Sequence, residues 1–352
     1  MTGPGALAEL VQHVAARHAP RHVGLVVGAV TAAGAQSVAA VGHTAAPDGP
    51  TPGADTLFEL GSVTKVFTAL LLAEAVTRGE LSLDTPVGDV LPEVDVPTRD
   101  GVAITLEHLA THTAGLPNNP MPLLAAVRQS WKARAGDPWE AIDRPALLKA
   151  LAGTRLGRTP GTGRIAYSNL GAGVLGHALV AAAGSRDYGE LVQARICRPL
   201  RMADTLLLPD SEQLQRQADG HRRRGRPTGH WQVAGLPGAG ALRSTAADVL
   251  TFLQAQLRPD DTPLGAAISL SQPDRRPGRR LGIGLGWLRV PIKGDHVLLW
   301  HNGGTGGFRA FAVFVPDTGV AAVVLANDLR SVDRIGVDLL NTLSASARLG
   351  GS

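Results

Sequence analysis

Strand-like runs stand at both ends of this chain and almost none in its middle. Near the amino terminus "HVGLVVGAV" (22–30) and "QSVAAVG" (36–42) are joined by the short "TAAGA", as a hairpin would be. Near the carboxyl terminus come "LGIGLGWLRV" (281–290), "HVLLWHN" (296–302), "RAFAVFVP" (309–316) and "GVAAVVLAN" (319–327). From about 104 to 260 the pattern is helical periodicity broken by Gly/Pro loops. Unpaired strand edges need partners, so the two distant sets are expected to meet in one antiparallel sheet closed by both termini. An amphipathic helix at 5–17 and a final helix at about 331–347, with Ser331 as N-cap and Asp333 in its first turn, would flank it. The expected fold class is therefore α/β (α+β): an antiparallel sheet flanked by terminal helices, with an inserted, mainly helical lobe. Residues 1–103 and 261–352 would form the sheet domain and 104–260 the lobe, with the active site in the cleft between them.

Composition narrows the classes of function. At 352 residues, 44% hydrophobic and 18% charged, the chain can bury a large core. A net charge of +4 is a mild excess, and the two basic clusters "HRRRGR" (221–226) and "RRPGRR" (275–280) read as solvated loops. Neither lies on an amphipathic helix or among stacking aromatics, so no nucleic-acid partner is expected. The single cysteine, Cys197, allows no internal disulfide and reads as a small core residue. No run approaches the ~18 apolar residues of a membrane span, and "MTGPGALAELVQHVAARHAP" lacks the pattern of an export signal. The expectation is a cytoplasmic protein with no membrane partner.

The chemistry concentrates in "FELGSVTKVFTALLLAEAVTRGEL" (58–81). Lys65 is one of only four lysines among 34 basic residues, and it opens a helix apolar on nearly every side. Residues i and i+3 share a helix face ~4.5 Å apart along the axis, so Ser62 Oγ and the Lys65 amine can converge. Burial lowers a lysine pKa, and a neutral amine beside a hydroxyl is a general base beside a nucleophile. Arginine, with a pKa above ~12, could not serve. The same spacing also suits Ser62 as a helix cap with Lys65 reaching to solvent.

Two further segments decide between these. "PGTGRIAYSNLGAGVLGHAL" (160–179) sets Tyr167, Ser168 and Asn169 before an apolar helix, and "LLWHNGGTGGFRAF" (298–311) carries His301, Asn302, Gly303 and Gly304 between strands. Together the three segments resemble the serine β-lactamase and penicillin-binding-protein family, in its branch of class C β-lactamases, DD-peptidases and related esterases. The motifs read Ser62-Val-Thr-Lys65, Tyr167-Ser-Asn169 and His301-Asn-Gly303, with "ELSLDTPVGDVLP" (80–92), "ITLEHLATHTAGLP" (104–117) and "GLPGAGALRSTAADVLTFLQ" (235–254) in support. The resemblance covers roughly residues 20–330.

The resemblance implies a serine hydrolase that needs no cofactor and no metal. Ser62 would form the acyl-enzyme, Lys65 would take its proton, and Tyr167, its anionic form favoured by nearby cations, would relay a proton to the leaving group. Asn169 would hold Lys65 and a substrate amide. The Ser62 and Gly304 amides would receive the oxyanion, with His301 and Gly303 on the substrate-binding strand. Family β-lactamases carry lysine where this chain has His301, and a largely neutral histidine is a weaker anchor for a carboxylate. An ester or amide substrate of esterase or peptidase type is therefore expected. The alternatives are a transacylase that passes the acyl group to an amine or alcohol, a β-lactamase, and a non-catalytic sensor. His108 and His112 stand four apart, as in some zinc sites, but no HExxH glutamate lies between them. No G-x-S-x-G elbow or phosphate loop is present.

Overall fold

The computed structural model describes residues 4–121, 137–276 and 281–349. Seven strands form one antiparallel sheet: β1 Gly24–Thr31, β2 Gln36–Gly42, β3 Gly282–Ile283, β4 Leu288–Ile292, β5 His296–Gly304, β6 Arg309–Val315 and β7 Val320–Ala326. Their order is β2-β1-β7-β6-β5-β4-β3, so the sheet is closed by pairing the first strand to the last. Leu25 faces Ala326 and Thr31 faces Val320 across that seam. The run 281–290, expected as one strand, divides into β3 and β4 with a turn at Gly286, whose φ is +75°.

Both faces of the sheet are covered, which is why its strands read as continuous apolar runs. On one face Leu25, Val27 and Ala29 of β1 pack with Phe311, Val313 and the terminal helices α1 (Pro4–His18) and α5 (Asp333–Leu349). α5 starts two residues after Ser331, whose Oγ accepts the Asp333 N–H at 3.4 Å. On the other face Val26, Val30, Ala312 and Phe314 pack with α2 (Thr64–Thr77), α3 (Asn169–Ala183) and α4 (Ala246–Leu257). α4 falls within the stretch 104–260, yet it rests directly on the sheet: a Cβ on Gly28 would lie 2.9 Å from Leu250 Cδ1.

Every residue of α2 from Thr64 to Ala75 is buried. A row of rings ties this helix to the sheet. Phe67 stacks on Phe252 of α4 at 4.2 Å, Phe252 lies 6.2 Å from Trp287, and Trp287 meets Phe314 of β6 edge-on at 4.9 Å. Cys197 is a buried free thiol, as expected of a core residue. No helix among the described residues is long and apolar enough to cross a membrane. Of the two basic clusters, 221–226 forms the tip of a small hairpin. In the other, Arg275 pairs with Glu107 at 3.6 Å and donates to Leu270 O, so it is no simple solvated loop, and 277–280 lie outside the described residues.

Phe67 carries both the packing of α2 and its place beside the sheet. Phe67→Ala should destabilise the protein by ~3–5 kcal/mol, seen as a lowered urea or thermal midpoint. A change below about 1 kcal/mol would mean that the ring row does not anchor the helix.

Candidate active site

Ser62 lies in a 3₁₀ turn, Gly61–Val63, that runs into α2. The end of β5 presses against this turn. A Cβ on Gly61 would sit 2.6 Å from the Gly304 nitrogen, and one on Gly303 only 1.8 Å from Leu60 O and 3.0 Å from the Ser62 nitrogen. Glycine is required at both places because backbone meets backbone. The contact sets the Ser62 amide, in the first turn where helical geometry supplies no partner, beside the Gly304 backbone.

Lys65 is 3% exposed. Its Nζ lies 3.0 Å from Ser62 Oγ, 2.8 Å from Asn169 Oδ1 and 2.6 Å from Ala239 O. Among the described residues no carboxylate pairs with it, and desolvation pushes its pKa from 10.5 down to about 7. In the neutral form the amine has two donors and one lone pair. Asn169 Oδ1 and Ala239 O take the donors, and the lone pair is left to accept the Ser62 hydroxyl.

Tyr167 also hydrogen-bonds Ser62, and burial raises its pKa to about 12, against a smaller lowering from that bond. This corrects the expected anionic phenol: burial outweighs the Ser62 hydrogen bond and keeps Tyr167 a neutral O–H. Lys65 Nζ lies 4.8 Å from the Tyr167 ring centre. His112 and His301 flank the same ring at 4.6 and 6.2 Å. Both are held neutral, their pKa values pushed to about 3, chiefly by burial and then by the nearby Lys65.

Ser168 caps α3, accepting the Gly171 N–H at 2.9 Å and donating to Pro117 O at 2.6 Å. The cap fixes Asn169 at the helix start. Its Nδ2 donates to Asn118 Oδ1 at 3.1 Å and Asn119 Oδ1 at 3.0 Å, so both donors expected for a substrate amide are already engaged.

A cavity of about 250 Å³ opens beside Ser62, with Asn119, Asn169, Gly304 and Thr305 on one part of its wall and Trp139, Trp231, Val233 and Leu236 on another. The predicted residues Ser62, Lys65, Tyr167, Asn169 and Gly304 thus meet at one place. Gly303 forms the backbone contact under it. His301 does not line the cavity: it is 1% exposed, donates from Nδ1 to Asn302 O at 2.7 Å, and stands behind Tyr167. Sequence reasoning missed Asn119, Trp139, Trp231 and the Ala239 carbonyl. For the tryptophans a weak signal existed, since only five occur in the chain. The two histidines weighed as a metal pair serve apart. His108 accepts the Thr105 N–H at 3.2 Å in a helix cap, and His112 accepts that of Ser168 at 3.3 Å. No cluster of three metal-ligating side chains occurs among the described residues.

The sequence model of the beta-lactamase family matches residues 8–345. The chain belongs to the beta-lactamase family. Among family relatives, it is 30% identical over 306 residues to the D-alanyl-D-alanine-carboxypeptidase/endopeptidase AmpH of Escherichia coli (strain K12), covering 81% of this chain and 74% of the relative. It is 29% identical over 307 residues to a beta-lactamase of the same organism, covering 77% and 75%. Over 152 residues, 43% of this chain and 38% of the relative, it is 38% identical to esterase EstB of Burkholderia gladioli. A class C beta-lactamase structure superposes with a TM-score of 0.80 at 22% identity, covering 97% of this chain and 95% of the other, a likeness of fold. The family is therefore one of serine hydrolases whose members here carry carboxypeptidase, beta-lactamase and esterase names.

The depressed Lys65 pKa has a consequence for stability. Between about 7, the folded value, and 10.5, the reference value, the unfolded chain holds a proton that the folded chain lacks. Stability attributable to this residue therefore rises with pH across that window, and the full desolvation cost is carried below it. Relative to a Lys65→Met variant, the wild type should gain on the order of a few kcal/mol between pH 6 and 10 in urea unfolding. Parallel pH curves for the two proteins would place an unperturbed lysine at this site.

Proposed function

We propose that this protein is a serine hydrolase that cleaves small esters through an acyl-enzyme on Ser62. The observation that carries the reading is the desolvated Lys65 amine, 3.0 Å from Ser62 Oγ and without a carboxylate partner among the described residues. Ser62 Oγ attacks the ester carbonyl as its proton passes to Lys65 Nζ. The oxyanion forms between the Ser62 and Gly304 amides, donors whose removal typically costs ~3–4 kcal/mol in such sites. As the tetrahedral species collapses, Tyr167 gives its phenolic proton to the departing alkoxide and recovers one from the Lys65 ammonium. Water then attacks the acyl carbonyl, with the same groups passing protons in reverse order.

The cavity wall supports an ester over a substrate anchored by a carboxylate. Among its described residues none is cationic; Trp139, Trp231, Val233 and Leu236 offer apolar surface, and Asn119 an amide. His301, neutral and buried, supplies no positive charge. At about 250 Å³ the space lies just below the ~300–1,000 Å³ usual for drug-sized ligands, so short acyl groups fit best.

Steady-state hydrolysis of p-nitrophenyl acetate and butyrate tests the proposal. Ser62→Ala should abolish turnover. Lys65→Arg, charged at every working pH, and Tyr167→Phe should each lower kcat ~10²–10⁴-fold. For the wild type, kcat/KM should rise with pH through a limb near 7 as Lys65 loses its proton, with no second rise below about pH 10 because Tyr167 acts as a neutral phenol. Intact mass after brief reaction should show the acyl group on Ser62. An undiminished rate in Ser62→Ala, or turnover confined to carboxylate-bearing amides, would overturn the assignment.

A further inference from the structure

A second cavity, about 850 Å³, lies apart from the one beside Ser62 and shares no wall residue with it. It is walled by three segments far apart in sequence: Pro20–Val23, Arg222–Arg226 and Asp328–Arg330. Together they bring six arginines to one concavity: Arg21, Arg222, Arg223, Arg224, Arg226 and Arg330. Clustered guanidinium groups repel one another, and proteins ordinarily offset such a cluster with interleaved carboxylates. Here that offset is missing. Among the described residues none of the six forms an ion pair, and the one side-chain hydrogen bond they make is from Arg222 Nε to Thr228 Oγ1 at 3.1 Å. The single acid in the wall, Asp328, pairs with none of the guanidinium groups: it accepts from His22 Nδ1 at 3.1 Å, the Val23 N–H at 2.9 Å and the Arg330 backbone N–H at 2.8 Å.

The cluster is held in place by buried anchors. Its central part is the tip of a hairpin, Gly220–His221 paired with Pro227–Thr228 and closed by the Arg222 N–H to Arg226 O bond at 2.7 Å. Arg224 and Gly225 turn the tip in left-handed backbone, at φ +63° and +68°. Beneath it, fully buried His221 accepts the Ala46 N–H at Nε2, 3.0 Å, and donates from Nδ1 to Asn327 O, 2.9 Å. Asn327 Nδ2 in turn binds the carbonyls of His43, Thr44 and Asp219. The hairpin is thus fastened to the segment that follows β7 and carries Arg330, and Asp328 fastens that segment to the one that carries Arg21.

We propose that this cavity is a binding site for a soluble, multiply phosphorylated anion. Guanidinium forks match phosphate oxygens bidentately, and the volume is that of a whole small molecule, well beyond one phosphate. No Phe, Tyr or Trp lines the cavity, and its one aromatic ring, His22, is buried and tied to Asp328 at 3.1 Å, which disfavours base stacking and so nucleic acid. Among the described residues the exposed large apolar side chains, Val102, Leu208, Leu214 and Leu281, all lie on other segments, and the partly buried Leu329 is too little apolar surface for a membrane-docking face.

Isothermal titration of the protein with inorganic tripolyphosphate at 50 mM salt tests this. The expected result is one site per chain, weakened at least about tenfold by Arg223→Glu/Arg226→Glu and by raising salt to 300 mM. Both substituted residues are exposed, and unchanged p-nitrophenyl acetate turnover would show the variant to be folded. Arg21→Glu, on a different segment, should weaken binding in the same way. The proposal is overturned if tripolyphosphate does not bind at millimolar concentration, if the variants bind it as the wild type does, or if citrate binds equally well. Sedimentation with phosphatidylglycerol vesicles, but not phosphatidylcholine ones, in the absence of tripolyphosphate binding would assign the arginines to a lipid surface instead and equally overturn it.

Discussion

The removal of one amine from water governs the rest of this site. Lys65 sits at the first turn of a helix whose whole circumference is buried, and its three neighbours are neutral oxygens. A carboxylate in place of any of them would restore the charge and end its use as a base. The surrounding electrostatics follow from the same condition. His112 and His301 stay neutral and Tyr167 keeps its proton, because each ionised form would stand in the same dry volume. The proposed catalysis therefore depends on a local absence of charge, in a chain that is otherwise rich in arginine.

Placing that amine correctly is a problem of backbone approach. The Ser62 turn and the end of β5 come so close that Gly61 and Gly303 leave no room for a Cβ. On the far side, the row Phe67, Phe252, Trp287 and Phe314 fixes the helix axis relative to the sheet. Ser168 caps α3 and so presents Asn169 to the Lys65 amine. Each of the three elements that supply reacting groups is held by a different kind of force: steric contact, ring packing and a helix cap.

Much of this could be read before any coordinates. The sheet was legible because strands buried on both faces form unbroken apolar runs, and Lys65 because a lone lysine in an apolar helix has few chemical uses. What misled the reading was distance. The protonation of Tyr167 depends on its burial by the fold, and the fate of the Asn169 donors depends on Asn118 and Asn119, 51 and 50 residues away. His301 was expected on the substrate strand, yet its side chain turns behind Tyr167, since strand neighbours alternate faces and sequence does not say which face meets the cavity. The division of 281–290 hangs on Gly286, where an added Cβ would meet Ala69 of α2 at 2.8 Å.

By itself the sequence determined the classes of element, their closure into one sheet, and the kinds of reacting group, because periodicity and functional-group chemistry are local properties. Tertiary structure alone decided the charge states, the walls of the cavity beside Ser62, and the meeting of Arg21, Arg222–Arg226 and Arg330 around one concavity. Those depend on burial and on contacts between residues up to some three hundred positions apart, as between His22 and Asp328. Solvent exclusion and electrostatic interaction act through space, and order along the chain does not record them.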